Sequence, residues 1–304
     1  MMSQFFFTLT NQEAILLLKK EMSIGYPNFK LSYSRGGFLT FKAENATTFS
    51  PWMCRLSGTC LGKIPVEELK ALPKAWLWKR IGAFEPPQEL IDLNEKTLYK
   101  VGEKVTLIMM VAQDEYWLGE YILKKTHFQT PGEVSSIEKR EDTPSRAYYK
   151  IAEAYEAFDL PMEAQEKVLE LGSAPGGASL FLLDQDLQVF GVDPAEMDKN
   201  ILKNYNFKHI KKPFETLNVT NFAEDIDWIV SDVNLPPSVV MKEVDRFLTF
   251  LEPRGVVLTL KIHQDRYLRM LKPIVESFKQ KGFTQVELKY LPSYRQEICL
   301  VALR

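Results

Sequence analysis

The hydrophobic pattern divides the chain into two stretches of different character. In the first, short apolar runs alternate with polar positions and are separated by Gly, Pro and Asn, which predicts strands and hairpins with a few helices. Residues 5–10 are apolar and β-prone, and Asn11 stands where it would cap a helix, EAILLLKKEM, with its apolar residues on one face. Residues 28–34 alternate, with Phe29, Leu31 and Tyr33 on one side, and Gly36-Gly37 turns them into residues 38–43 as a hairpin. Residues 52–64 predict another strand pair around Ser57-Gly58. A short helix starts at Pro65, residues 75–83 are strand-like, a further short helix opens at Pro86-Pro87, and residues 98–123 hold two or three more strands. This front half is an α+β unit with no constellation that carries chemistry.

The second stretch alternates strands with helices, which predicts a parallel sheet. Thr143-Pro144-Ser145-Arg146 leads into a helix, AYYKIAEAYEAF, capped by Thr143 or Ser145 and carrying Lys150. Residues 168–171, VLEL, suit a buried strand that stops at Gly172, and helix formers resume at Ala178. A second strand, residues 187–192, ends in Asp193. Residues 227–232 form an apolar strand ending in Asp232, a long helix starts at Pro236-Pro237, and residues 255–260 form a strand ending at Lys261. A helix over 265–281 is closed by Gly282, and two last strands, 284–290 and 297–302, are joined by a turn short enough to require an antiparallel pair. Polar residues 124–143, with Pro131-Gly132, mark the junction, so the predicted division is 1–126, a linker 127–142, and 143–304. Its charged run, residues 138–142, is expected to be a solvated connector.

Composition narrows the class. A chain of 304 residues with 45% hydrophobic and 26% charged residues has room for two domains with their own cores and is expected to be soluble and globular. The start, MMSQFFFTLT, has no basic segment before its apolar run, so neither a targeting segment nor a membrane partner is predicted. Cys54, Cys60 and Cys299 form no disulfide set, which fits a reducing cytoplasm, and His127, His209 and His263 are too scattered to predict a metal site. A net charge of −2 means that any nucleic-acid partner must be met by local patches. Lys124, Lys125, Arg146, Lys211, Lys212 and Arg295 are candidate phosphate contacts, and Tyr148, Tyr149, Phe214 and Tyr294 candidate stacking or packing rings.

The stretch that organises the chain is KVLELGSAPGG, residues 167–177. Strand, small-residue loop and helix start, in that order, make a cradle in which backbone N–H groups face a ligand. Gly172, Ser173, Ala174, Pro175, Gly176 and Gly177 form its predicted wall, with Asp193 and Pro194 following the next strand. An acid at the position of Asp193 suits a ribose diol, although a strand-end cap has the same sequence signature. Dinucleotide enzymes and S-adenosylmethionine (SAM) enzymes share this spacing. Asp232 and Lys261 stand at strand ends beside the loop, Glu297 starts an antiparallel strand at the same edge, and Lys150 precedes the first strand.

The ordered set Lys150, Asp232, Lys261 and Glu297, in the contexts SRAYYK, SD, LTLK and YRQE with LELGSAPGG between, resembles the Lys-Asp-Lys-Glu tetrad of FtsJ-like ribose 2′-O-methyltransferases. The front half more loosely resembles the THUMP-type RNA-binding region of the RlmM-type 23S rRNA cytidine 2′-O-methyltransferases, through its strand-helix-strand start and the Gly36-Gly37-Phe38 hairpin. The resemblance implies a Rossmann-like SAM methyltransferase sheet with a C-terminal antiparallel hairpin, preceded by a smaller α+β THUMP-like domain. It also implies SAM as cofactor, with Asp232 near it, and large-subunit rRNA or its precursor as substrate. Lys261 is implied as the central base or hydroxyl-orienting residue, tuned by Lys150. A ribose hydroxyl must lose its proton as it attacks the methyl group, and a neighbouring ammonium lowers the pKa of a lysine asked to accept it, while Asp232 and Glu297 pull the other way and hold both lysines in place. The family's adenine-contacting acid has no obvious counterpart; Glu215, in KPFETL, is the candidate. A nucleotide-dependent oxidoreductase, or an RNA-binding assembly protein with a methyltransferase-like domain, are the alternatives.

Overall fold

A computed structural model describes residues 3–44, 49–79, 84–221 and 226–304. The chain forms two compact units, Met1–Ser136 and Ile137–Arg304. In the first, β1 (Ser3–Leu9), α1 (Ile15–Gly25), β2 (Lys30–Arg35), β3 (Phe38–Glu44), β4 (Leu56–Ile64), α2 (Val66–Leu69), β5 (Trp76–Lys79), α3 (Gln88–Lys96), β6 (Lys104–Ala112) and β7 (Glu115–Ile122) follow one another. The seven strands make one sheet in the order β2-β3-β1-β4-β7-β6-β5, antiparallel except where β5 meets β6. The β2–β3 hairpin at Gly36-Gly37 is present, and residues 98–123 supply two strands. The last four residues of the strand predicted over 75–83 lie outside the described residues.

Two expectations for this unit fail for physical reasons. The Asn11 side chain makes no cap bond; its Oδ1 accepts from Arg55 Nη2, and the helix begins with a 3-10 turn at Gln12–Ala14. The strand pair expected around Ser57-Gly58 is a single strand, β4, running between β1 and β7. Gly58 is there because of close approach and not to turn the chain: a Cβ would stand 2.3 Å from the Glu120 carbonyl oxygen and 2.8 Å from the Phe7 ring.

The second unit runs α4 (Ala147–Phe158), β8 (Lys167–Leu171), α5 (Gly177–Asp184), β9 (Gln188–Val192), α6 (Lys199–Leu202), β10 (Phe207–Ile210), β11 (Trp228–Ser231), α7 (Pro237–Leu248), β12 (Gly255–Lys261), α8 (Asp265–Gln280), β13 (Gln285–Lys289) and β14 (Glu297–Leu303). Its sheet order is β10-β9-β8-β11-β12-β14-β13, parallel from β10 to β12 and antiparallel at β14 and β13. This is a Rossmann-like α/β sheet closed by an antiparallel hairpin. β8, β11 and β12 read as continuous apolar runs because both faces of these central strands are covered, and Val168, Leu169, Trp228, Ile229, Leu258 and Leu260 are fully buried. Among the strands of this unit β10 escaped the sequence pattern, as did the short helix α6. β10 is a four-residue edge strand, FKHI, with one clearly buried position, too short to show a period.

The predicted solvated connector is in fact fastened to its unit. Arg140 Nη1 pairs with Asp184 Oδ2 at 2.5 Å and donates to the Tyr148 hydroxyl at 3.2 Å, while its backbone N–H and C=O both bond the Tyr149 hydroxyl. Helix α4 is thereby tied to α5. The N-cap of α4 is Arg146, without a side-chain cap bond, and not Thr143 or Ser145 as expected. The start of the helix lies against the glycine loop, where Ser145 Oγ accepts from the Ala147 N–H at 3.3 Å and a Cβ on Gly177 would stand 2.2 Å from that oxygen and 2.8 Å from the Ser145 carbonyl. Gly177→Ala should therefore push α4 off the loop and lower stability by about 2 kcal/mol, an overpacking cost. Urea denaturation of the full chain measures it; a change below about 0.5 kcal/mol would show that the first turn of α4 yields freely.

Candidate active site

The parallel sheet reverses its winding between β8 and β11, and the crevice at their carboxyl ends is where such sheets accept ligands. Gly172 ends β8 and Asp232 follows β11. They line one cavity of about 250 Å³ with Ser145, Arg146, Ala147, Lys150, Glu170, Ser173, Ala174 and Pro175. Arg146, a candidate phosphate contact, thus stands at this cavity. Lys211 instead pairs with Glu196 on the surface.

Four charged side chains meet beside it. Lys150 comes from α4, Asp232 from the end of β11, Lys261 from the end of β12 and Glu297 from the start of β14. Lys261 and Glu297 are direct cross-strand partners in the β12–β14 register, so the pairing of the strands itself brings them together. Lys150 Nζ donates to Asp232 Oδ1 at 3.0 Å and Oδ2 at 3.1 Å and pairs with Glu297 Oε1 at 2.7 Å. Lys261 Nζ donates to Glu297 Oε2 and lies 3.5 Å from Asp232 Oδ1. Each cation touches both anions, closing a ring of alternating charge. Exposure of the side chains is only 7% for Lys150 and Glu297 and 15% for Asp232 and Lys261. Lys150, which as a lone helical lysine would be placed at the surface, is held inside by its partners and by the face of Tyr294, 5.7 Å from its Nζ.

The balance within the ring differs from the expectation that the second ammonium prevails. Burial works against the Lys261 ammonium, but the charge of Asp232 and the hydrogen bond and charge of Glu297 outweigh it, and its pKa stands above the ordinary lysine value. Burial likewise opposes the Glu297 carboxylate, and Lys150 and Lys261 together hold its pKa below the usual range. The ring therefore rests with Lys261 protonated.

The other predicted residues are distributed unevenly. Asp193 accepts from the backbone N–H of Ala174 at 3.1 Å, on one oxygen, and of Ala195 at 2.8 Å, on the other. It ties β9 to the loop and keeps acceptor capacity on both oxygens. Gly176, at φ +117°, precedes α5, and Pro194 is exposed. Glu215 is exposed on a 3-10 turn at Phe214–Thr216 and is not among the residues lining the cavity. Of the rings expected to stack or pack, Tyr294 is 1% exposed and packs beneath Lys150, Tyr148 packs edge-on against Phe181, and Phe214 is buried.

Residues 143–288 match the family model described as FtsJ-like methyltransferase. The second unit is an FtsJ-like methyltransferase domain. Lys150, Asp232 and Lys261 lie within the matched residues, and Glu297 lies beyond them. The chain is also similar to proteins named ribosomal RNA large subunit methyltransferase M: 25% identical to that of Chromohalobacter salexigens over 55% of this chain and 49% of the relative, and 23% identical to that of Azoarcus sp. strain BH72 over 69% and 60%. The chain spans about half the length of these relatives. Among solved structures, fibrillarin from Aeropyrum pernix, crystallised with SAM, is 17% identical with a TM-score of 0.39, over 67% of this chain and 84% of that one.

One residue of the methyltransferase domain went unnoticed in sequence. Glu170, on β8, is 2% exposed, lines the cavity and accepts from Ser179 Oγ at 2.5 Å. The signal was an acid inside an otherwise apolar strand, VLEL. Burial above all, with the nearby Asp232 and Asp193 charges adding and the Ser179 bond opposing, pushes its carboxyl up to about 8. Folded Glu170 keeps a proton that the unfolded chain releases near pH 4.5, so its contribution to stability falls as pH rises from there to about 8. Glu21 in the first unit, pushed by burial up to about 7, has the same sign. Glu170→Gln should flatten the decline in melting temperature between pH 5 and 8, leaving the share of Glu21; a variant that declines as steeply as wild type would show Glu170 to be ionised throughout.

Proposed function

We propose that this chain transfers a methyl group from SAM to a ribose 2′-hydroxyl of large-subunit rRNA, at a cytidine. The observation that carries this reading is the closed ring of Lys150, Asp232, Lys261 and Glu297, two of whose members, Lys150 and Asp232, line the glycine-loop cavity. Two lysines and two carboxylates without a nucleophile suit a reaction whose difficulty lies in orienting and deprotonating a hydroxyl. The relatives named for methylation of large-subunit rRNA support the substrate class.

The residues fit SAM as follows. Loop residues Gly172, Ser173, Ala174 and Pro175 line the cavity with small side chains, while Gly176 and Gly177 are not among its lining residues, and Asp193 retains lone pairs for a diol. When bound, SAM supplies the methyl group on a sulfonium whose positive charge works against the Lys261 ammonium. Lys261, fixed between Asp232 and Glu297, orients the 2′-oxygen and, once neutral, takes its proton. Lys150 neutralises the two carboxylates that Lys261 then leaves with less cationic charge. Geometry does much of the rest, since a hydroxyl held in line needs no stronger nucleophile.

The first unit, in this reading, is a THUMP-like domain that helps to choose the site on RNA, followed by a linker. The Azoarcus similarity, over 69% of the chain, is longer than the second unit and so extends into the first.

The test is transfer of labelled methyl from SAM to rRNA from a strain lacking this gene. Wild type should place label at an alkali-resistant ribose, and Lys261→Ala should lower the rate at least about 10²-fold. The wild-type rate should rise with pH through the neutral range, because the reacting form has Lys261 neutral. Equal incorporation by Lys261→Ala would remove the tetrad from the mechanism. Absence of transfer by wild type to both naked rRNA and ribosomal subunits would remove the substrate class.

A further inference from the structure

Glu153 is 1% exposed and belongs to none of the motifs above. It lies on α4 three residues after Lys150, hence on the same face of the helix. Its two carboxylate oxygens each take one proton donor from a single residue: Oε2 accepts from the Ser293 N–H and Oε1 from the Ser293 hydroxyl, both at 2.8 Å. Ser293 stands in the segment 290–296 that joins β13 to β14 and delivers Glu297 to the site. That segment is fastened elsewhere as well. The Tyr290 hydroxyl donates to the carbonyls of Tyr294 and Arg295, both at 2.8 Å, and the Gln296 carbonyl accepts from Ile262 N–H at 2.7 Å, next to Lys261. These bonds bind the segment to itself and to β12. The bonds from Ser293 to Glu153 fasten it to α4.

We infer that Glu153 is a positioning residue: by gripping Ser293 it sets the distance between α4 and the 290–296 segment, and so fixes Lys150 against Glu297 and Tyr294. This inference rests on the ring being the reacting site but concerns its assembly. A buried carboxyl group whose two oxygens are held by the backbone N–H and the hydroxyl of one residue is a rigid attachment. A substituted Glu153 would leave Lys150 on α4 and Glu297 on β14, each well folded, with the gap between them no longer fixed. Glu297 would then share its charge less closely between Lys150 and Lys261.

Two readouts separate positioning from general stability. The first needs no turnover: NMR of ε-carbon-labelled lysine, with the Lys261 signal assigned by its loss in Lys261→Arg, follows the titration of an ammonium faced by Asp232, Glu297 and Lys150. Glu153→Gln and Ser293→Ala should each bring its pKa down toward the ordinary lysine value, by about 1 unit for Glu153→Gln and less for Ser293→Ala, which keeps the backbone bond. The second is kinetic: turnover falls about 10-fold in Glu153→Gln, KM for SAM stays within about 2-fold, and Ser293→Thr recovers most of what Ser293→Ala loses. An unchanged Lys261 titration in folded Glu153→Gln and Ser293→Ala overturns the inference. Should wild type transfer no methyl group to rRNA, the functional reading falls, and the titration still decides the role of Glu153.

Discussion

The site depends on four charges sharing a place with little water. A single ammonium or carboxylate in such a position would neutralise itself or be driven to the surface, and removing one partner of a buried pair typically costs about 3–5 kcal/mol. The ring solves this by alternation, and alternation imposes geometry on four separate elements. β12 and β14 must pair with Lys261 opposite Glu297, since a slip of one residue would send Glu297 to the other face of the sheet. β11 must end at Asp232, and α4 must lie where Lys150 reaches both acids. The packing of α4 on the loop at Gly177, the tie from Arg140 to Asp184 and the grip of Glu153 on Ser293 all constrain that one helix.

Much of the second unit was legible because its central strands are covered on both faces and show as largely apolar runs, and because, Glu170 apart, their charged residues stand at the ends. Glycine, proline and a terminal acid or lysine mark those ends in sequence. The first unit was harder, since a glycine in a strand has one sequence signature for two causes. At Gly36-Gly37 the chain turns, whereas at Gly58 it runs straight and the missing side chain makes room for Phe7. Only the neighbours across the sheet distinguish the cases, and they come from distant parts of the chain.

The buried acids were illegible for a related reason. Glu153 looks in sequence like an ordinary surface carboxylate on a helix, and Glu170 is marked only as an acid inside an otherwise apolar strand. Their partners, Ser293 and Ser179, are 140 and 9 residues away, and neither serine is distinctive. What identifies Glu153 is the absence of water, which no local pattern records. The ring was easier because all four members are charged and three stand at strand ends.

The charge state of the ring follows from the way it is built. The carboxylates that allow two lysines to be buried also favour the protonated form of Lys261, so the forces that assemble the site oppose its use as a base. Raising the basicity of the free site by moving an acid away would unpair a buried lysine. The conflict is best resolved by a charge that arrives with the ligand, because a cation placed near Lys261 shifts its proton equilibrium without loosening any bond of the ring. On the proposed function, a site of this design would be stable when empty and become basic only when filled. In the proposed reaction, assembly and catalysis would thus be separated in time, with the same four residues serving both.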